Sequence, residues 1–163
     1  MKKKILAMLL VLVMLLGMLP MGALAAEGDA ITIETGHAAS YPADMYLSKI
    51  VLQGVSGTLT GSNQYYEVVL AEGTATTQPI TIELTGSLGV AAAQQCYFYI
   101  NGEKSEKVAA EKNYFSLSTL PEWSNGRATV VVGLGNDKKI SVKYTLELSI
   151  SGLAKENCNK VRL

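Results

Sequence analysis

Residues 140–150 read ISVKYTLELSI, and this stretch decides the fold. Every even position from Ile140 to Ile150 is apolar, and every odd position between them is polar. A strand with one buried and one solvated face has this two-residue period, whereas a helix would spread the same apolar residues around its circumference. Half-buried alternation also favours an antiparallel sheet. We therefore predict that residues 140–150 form one long strand of an antiparallel sheet.

The same alternation recurs upstream of this strand. RATVVVGL (127–134) is joined to 140–150 by GNDKK, whose Gly, Asn and Asp residues favour a turn, so we predict an antiparallel hairpin. Clusters of Gly, Ser, Asn and Pro separate the other strand candidates, a spacing typical of a sandwich or barrel. The six further candidates are AITIET, LSKIVLQ, YYEVVLA, PITIEL, CYFYI and YFSLS. Two segments rich in helix formers, GVAAAQQ and GEKSEKVAAEKN, are candidates for short helical connections.

The N-terminus has the features of a secretory signal peptide. Three lysines at 2–4 precede an apolar run at 5–19, Pro20 ends the run, and Ala23-Leu24-Ala25 supplies the small residues of a cleavage site. The apolar run is shorter than the roughly 20 residues that span a bilayer. We expect residues 1–25 to be removed and the chain to be secreted from a bacterium, either free or associated with the cell surface.

The remainder has the length of one domain. We expect residues 26–46 to form an N-terminal strand and a linker or long loop, residues 47–152 a β-sandwich domain, and residues 153–163 a C-terminal tail. The ending KENCNKVRL follows directly on a closing strand, which suggests a fragment of a longer multidomain protein.

Part of the chain resembles a known family over residues 47–151. The segment LSKIVLQGVSGTLTGSNQYYEVVLAEGT, the later ITIELTGS, the Asn101-Gly102 turn and a closing strand that contains Tyr144-Thr145 look like the cadherin-like β-sandwich module of bacterial surface proteins. The resemblance implies an all-β fold, an antiparallel Ig-like or cadherin-like β-sandwich of about 7–9 strands. It also implies a non-catalytic module that is usually one unit of a larger exported protein.

The charge and hydropathy of the sequence argue against two classes of partner, nucleic acid and membranes. Without Lys2, Lys3 and Lys4 the net charge is −3, which argues against nucleic acid and against electrostatic binding to anionic lipid. No second long apolar run follows the signal segment, so we expect no membrane association after cleavage.

The sequence contains no recognisable catalytic or metal-binding constellation. His37 is the only histidine and lies in a loop rich in Gly, Ala, Ser and Pro, which makes a solvated residue the simplest interpretation. Two distant cysteines and one histidine do not supply a zinc site, and GNDKK reads as a plain turn rather than a calcium loop. We therefore predict no enzyme, no catalytic residues, no metal and no cofactor.

Aromatic residues are the best binding candidates. If Phe98 faces the core, Tyr97 and Tyr99 form an outward stripe on the CYFYI strand, and Trp123 lies in a loop. Exposed aromatics can stack on sugars or bind protein. We predict Tyr97, Tyr99 and Trp123 as ligand-binding residues. The alternative is that loops of the same domain, such as GEKSEKVAAEKN, cover these rings.

Two cysteines in an exported chain permit one disulfide, between Cys96 and Cys158. The alternative is two free thiols, with Cys96 as a small core residue.

Together these features favour a secreted, non-catalytic module for adhesion or scaffolding at the bacterial cell surface. Its expected partners are a protein or glycan ligand, or neighbouring domains of a larger surface protein. The alternative is a small secreted hydrolase or inhibitor that acts through loop residues.

Overall fold

The computed structural model describes residues 29–38 and 40–153. The predicted signal peptide and residues 154–163 lie outside the described residues. No helix within the two described ranges is long and apolar enough to cross a membrane. The secondary-structure elements are β1 (Ala30–Glu34), β2 (Met45–Gln53), β3 (Gly57–Ser62), β4 (Tyr65–Leu70), β5 (Ile80–Leu88), α1 (Val90–Ala93), β6 (Tyr97–Ile100), β7 (Glu103–Lys104), β8 (Tyr114–Thr119), β9 (Arg127–Gly135) and β10 (Ile140–Ile150).

The strands form two sheets, so the predicted all-β sandwich is confirmed. The first sheet has the order β1-β2-β5-β8, and the second has the order β3-β4-β10-β9-β6-β7. The residues that the structure describes form ten strands, more than the expected seven to nine. The additional ones are β7, which has only two residues, and β3, whose sequence GTLTGS carries the Gly and Ser residues of a turn. Most of β3 is exposed, so no apolar alternation marked it as a strand.

The long strand β10 lies in the interior of the second sheet, and its hairpin with β9 is confirmed. Leu146 lies opposite Val130 in an antiparallel register. On its other side β10 pairs with β4 in parallel, with Leu146 opposite Tyr66. The antiparallel expectation is therefore wrong for this one pair. No tight turn joins β4 to β10, so local geometry did not fix the direction of β4.

The core lies between the two sheets. Five of the six apolar side chains of β10 that were predicted to face inward are buried, Leu146 and Tyr144 completely, whereas Ile140 at the start of the strand is partly exposed. Strand β1 belongs to the same core, because it pairs with β2 and its Ile33 is 1% exposed. The sandwich thus includes residues 30–34, which lie within the segment 26–46 assigned to a strand and linker.

The connection between β1 and β2 is a loop that is bound to β10. The Tyr41 hydroxyl accepts a hydrogen bond from the Lys143 N–H at 3.0 Å and donates one to the Lys143 carbonyl. Strand β4 begins at Tyr65, opposite Thr145, and so does not reach Lys143. Tyr41 therefore satisfies the backbone of β10 where its parallel neighbour is absent.

Of the two predicted helical connections, one forms a helix. GVAAAQQ contains α1, a single turn. GEKSEKVAAEKN instead contributes β7 and then runs along β6, where the N–H of Ser105 donates to the Phe98 carbonyl and the N–H of Ala109 donates to the Cys96 carbonyl. Helix propensity is a weak preference, and these sheet contacts override it.

Candidate binding groove

Tyr99 does not face solvent as the sequence suggested. Its side chain is only 6% exposed, and its hydroxyl donates a hydrogen bond to the Asn136 carbonyl at 2.6 Å. It points away from the core face of β6, as the alternation required, but it lies opposite Gly133 of β9, which has no side chain to hold the ring off the sheet. The expectation that Tyr99 is part of an outward contact stripe is therefore wrong.

Tyr97 is partly buried, and a cation covers it. The Lys104 ammonium lies 4.5 Å from the centroid of its ring and forms an ion pair with Asp137. The hydrogen bond to Asp137 raises the pKa of Lys104, so this lysine stays charged. A cation over the ring is a favourable contact in itself, and it leaves less of the Tyr97 ring for a ligand.

Trp123 lies far from both tyrosines. It is partly buried against the core and lies just before β9 begins at Arg127, whereas Tyr97 lies opposite Gly135, where β9 ends. Nine strand residues span about 26 Å. The structure thus does not bring the three predicted binding residues together. The indole N–H of Trp123 is buried without a hydrogen-bond partner among the described residues.

The cysteines are described only in part. Cys96 is buried, and its thiol lies 3.1 Å from the Met45 thioether. Burial raises the pKa of this thiol, with a smaller contribution from the nearby Asp44 carboxylate. Cys158 lies outside the described residues, so both alternatives, a Cys96–Cys158 disulfide and two free thiols, stay predictions.

A groove of about 400 Å³ opens on one side of the sandwich, between the outer strand of the first sheet and the chain segment that follows β7. Its apolar part comes from Phe115 and Leu117 of β8, both partly exposed. Phe115 also stacks on the core residue Phe98, with ring centroids 6.4 Å apart. The lining residues are Glu103, Lys104, Ser105, Glu106, Lys107, Lys112, Tyr114, Phe115, Ser116 and Leu117.

The main chemical feature of this groove is the unpaired backbone edge of strand β8. Among the strands of the described ranges, β8 is the last in its sheet and pairs only with β5. In an antiparallel pair, half of the backbone N–H and C=O groups point toward the partner strand and half point away. The outer half on β8 therefore has no strand neighbour, and it is available beside two partly exposed apolar side chains.

Most charges around the groove are paired or in contact. Lys107 donates to Glu111 at 2.7 Å, and this hydrogen bond raises the pKa of Lys107. The Lys112 ammonium lies 5.0 Å from the centroid of the Tyr114 ring. The groove thus has no strong charge of one sign, which fits an uncharged partner segment better than a highly charged ligand.

Sequence reasoning identified YFSLS as a strand but missed its position at an edge. Edge position depends on the order of strands in the sheet, which the local sequence does not encode. One signal was present: Phe115 and Leu117 alternate with serines, and the strand contains no charge, Pro or Gly. Such a segment is suited to further pairing.

His37 contacts two tyrosines in and beside the loop between β1 and β2. The Nε2 atom of His37 lies 2.8 Å from the Tyr41 carbonyl oxygen, and its ring meets the Tyr46 ring edge-on. Within the part of the chain that the structure covers, no three His, Cys, Asp or Glu side chains are grouped so that they could hold a metal ion.

Comparisons with protein-family models, with curated proteins and with solved structures found no match for this chain.

Proposed function

We propose that this chain is a secreted, non-catalytic β-sandwich module that serves adhesion or scaffolding at the bacterial cell surface. Its ligand is a protein or a glycan, and the binding surface is the groove beside β8. The observation that carries this proposal is the unpaired β8 edge next to the partly exposed Phe115 and Leu117.

An unpaired edge favours protein over glycan as the ligand. An extended peptide satisfies backbone donors and acceptors at the spacing that a strand presents, and pockets for alternate side chains add selectivity. Phe115 and Leu117 supply two adjacent apolar contacts of this kind on the groove side. The resemblance to cadherin-like modules of bacterial surface proteins agrees with a binding role.

The proposal is tested by binding of the purified chain to isolated bacterial cell envelopes and to a panel of cell-wall glycans. Leu117→Lys places a charge in the groove, at an edge where an inward-pointing charge opposes strand addition. We expect it to weaken binding at least about tenfold, the effect of losing one apolar anchor. Thr32→Lys is the control for an added charge, because Thr32 is an exposed residue of β1, the opposite edge of the same sheet. Leu117 also packs against the core, so denaturant unfolding checks that Leu117→Lys remains folded.

Two results would count against this function. Equal loss of binding in Leu117→Lys and Thr32→Lys would show that the groove is not the binding surface. No binding of the wild-type chain to envelopes or glycans would overturn the adhesion role.

A further inference from the structure

We propose that the occupant of the β8 edge is a second copy of this chain, with the two β8 strands paired antiparallel about a two-fold axis at Leu117. This inference rests on the proposed function, because it names a partner for the same groove. The sandwiches would then join through their first sheets into one continuous eight-stranded sheet.

Strand β8 lacks the features that usually prevent an edge strand from pairing with another chain. Natural edge strands are blunted by charges, prolines, bulges or short length. None of the six residues of β8 is charged or a proline, and its register with β5 runs without a shift. The other edges differ: β7 has two residues, β1 carries Glu34, and β3 contains two glycines, which weaken strand pairing.

In a pair of β8 strands centred on Leu117, side chains that lie on the same face of the sheet are opposite each other. Residues at equal distance on either side of Leu117 lie opposite each other, and they share a face because the side-chain period is two. On the groove side, Leu117 meets Leu117 of the second copy and Phe115 meets Thr119. On the outer side, Tyr114 approaches Leu120, an apolar residue that is 54% exposed in the single chain.

The charged residues on either side of β8 favour the register that is centred on Leu117. Lys112 and Glu122 each lie five residues from Leu117, and both are exposed. Neither forms a salt bridge within the described residues. Both lie just outside β8, and an antiparallel pair centred on Leu117 would place Lys112 of each copy at the end of the strand pair where Glu122 of the other copy lies. A pair centred on Ser116 would instead place Lys112 against Leu120.

A peptide from an unrelated protein could use the same backbone groups, but it would not account for this symmetry. Because the residues of β8 are uncharged, pairing of this strand with a second copy of itself does not bring like charges together. The flanking charges are of opposite sign at equal spacing, as self-pairing requires. The chain's own β8 is therefore the partner that the strand fits best.

Sedimentation equilibrium over a range of concentrations tests the dimer. We expect the mass of the purified wild-type chain to rise from monomer to dimer. Glu122→Lys and Lys112→Glu should each weaken dimerisation several-fold, because each opposes like charges at both ends. The double variant should restore it, and Thr32→Lys should leave it unchanged. A wild-type chain that stays monomeric, or a double variant no better than the single ones, overturns the proposal.

Cross-linking tests the register. In a Cys158→Ser background, Leu117→Cys places a thiol on the axis, where opposite Cα atoms are about 4.5–5.5 Å apart and a disulfide can form. Thr119→Cys is the control, because its two copies would lie about 13 Å apart along the strands. We expect covalent dimers from Leu117→Cys under mild oxidation and none from Thr119→Cys. The reverse pattern, or no difference between them, overturns the register.

The two proposals fail separately. A chain that binds cell envelopes but remains monomeric contradicts this inference and leaves the proposed function standing. A chain that dimerises through β8 without binding envelopes or glycans contradicts the proposed function alone.

Discussion

Leu146 and Glu147 are adjacent in β10 and lie on opposite faces of the sheet. Leu146 has no exposed surface, whereas Glu147 is partly exposed, accepts a hydrogen bond from Thr129 at 3.0 Å and lies opposite Glu67 of β4. Leu146→Asp would bury an unpaired charge and should lower the free energy of unfolding by several kcal/mol, of order 3–5. Denaturant unfolding measures this loss.

Glu147→Lys is the matched control. It relieves the like charge of Glu67 and loses the Thr129 contact, so we expect a change within about 1 kcal/mol. Equal destabilisation by the two variants would mean that the alternation along β10 does not define its buried face.

Ionisation of Tyr144 should lower the stability of the fold at high pH. Burial raises the pKa of its hydroxyl from 10.0 to about 12, and this hydroxyl accepts a hydrogen bond from the Leu47 N–H at 3.2 Å. Because the folded pKa is the higher one, the stability from this group is complete below pH 10. It is lost as the pH rises toward 12, by about 2–3 kcal/mol.

Tyr144→Phe isolates this effect, since other tyrosines with raised pKa values, such as Tyr41 and Tyr66, remain in the variant. At neutral pH it should cost about 1–3 kcal/mol, because the Leu47 N–H loses its acceptor. Urea unfolding at pH 8 and pH 11 should then show a smaller pH-dependent loss than in the wild type. An identical loss would exclude Tyr144 as a source.

For single residues, the sequence predicts the direction of a side chain on its strand but not its tertiary contacts. Alternation gave the correct face for both tyrosines of β6, because side-chain direction is a local property of a strand. It did not reveal that Tyr99 lies opposite Gly133 and donates its hydroxyl hydrogen bond to the Asn136 carbonyl. Those residues are more than thirty positions away and meet Tyr99 only through the pairing of β6 with β9, which local sequence does not specify.

At the scale of elements, β9 depends on close approach to β10. A Cβ atom on Gly133 would lie 2.0 Å from the Val142 carbonyl oxygen, next to the register shift between Ile140 and Val142. Backbone cannot yield as a flexible side chain can, so Gly133→Ala should destabilise by about 2–3 kcal/mol or more. Thermal or denaturant unfolding detects this loss.

Gly36→Ala provides the comparison, because a Cβ atom there would meet nothing within 4 Å. We expect a change of less than about 1 kcal/mol from it. Similar stabilities for the two alanine variants would contradict the tight packing of β9 against β10.

The strands that sequence reasoning located best are those with a buried and a wet face, above all β9 and β10. It missed β3, because Gly57–Ser62 pairs through its backbone and buries little, and it misjudged the direction of β4. Both features depend on partners distant in the chain. The candidate groove shares this dependence, because its strand was identified but its edge position was not.

At the scale of the whole molecule, the positions of the two chain segments that carry cysteine bear on the disulfide. Cys96 directly precedes β6, whose Tyr97 lies opposite the final residue of β9, Gly135. Leu153, the last described residue, is at the other end of β9: a Cβ atom on Gly126 would lie 3.1 Å from the Leu153 Cβ. The two ends are about 30 Å apart at the rise of a strand.

The chain after Leu153 is too short to close that distance. Five residues to Cys158 extend at most about 18 Å, and a disulfide adds about 7 Å between Cα atoms. We therefore expect the purified chain to carry two free thiols, counted by thiol titration in denaturant without reductant, with Cys96 reacting slowly in the folded protein because it is buried. A peptide that links Cys96 to Cys158 in a non-reducing digest would contradict this prediction, and it would require that Leu153 leave Gly126.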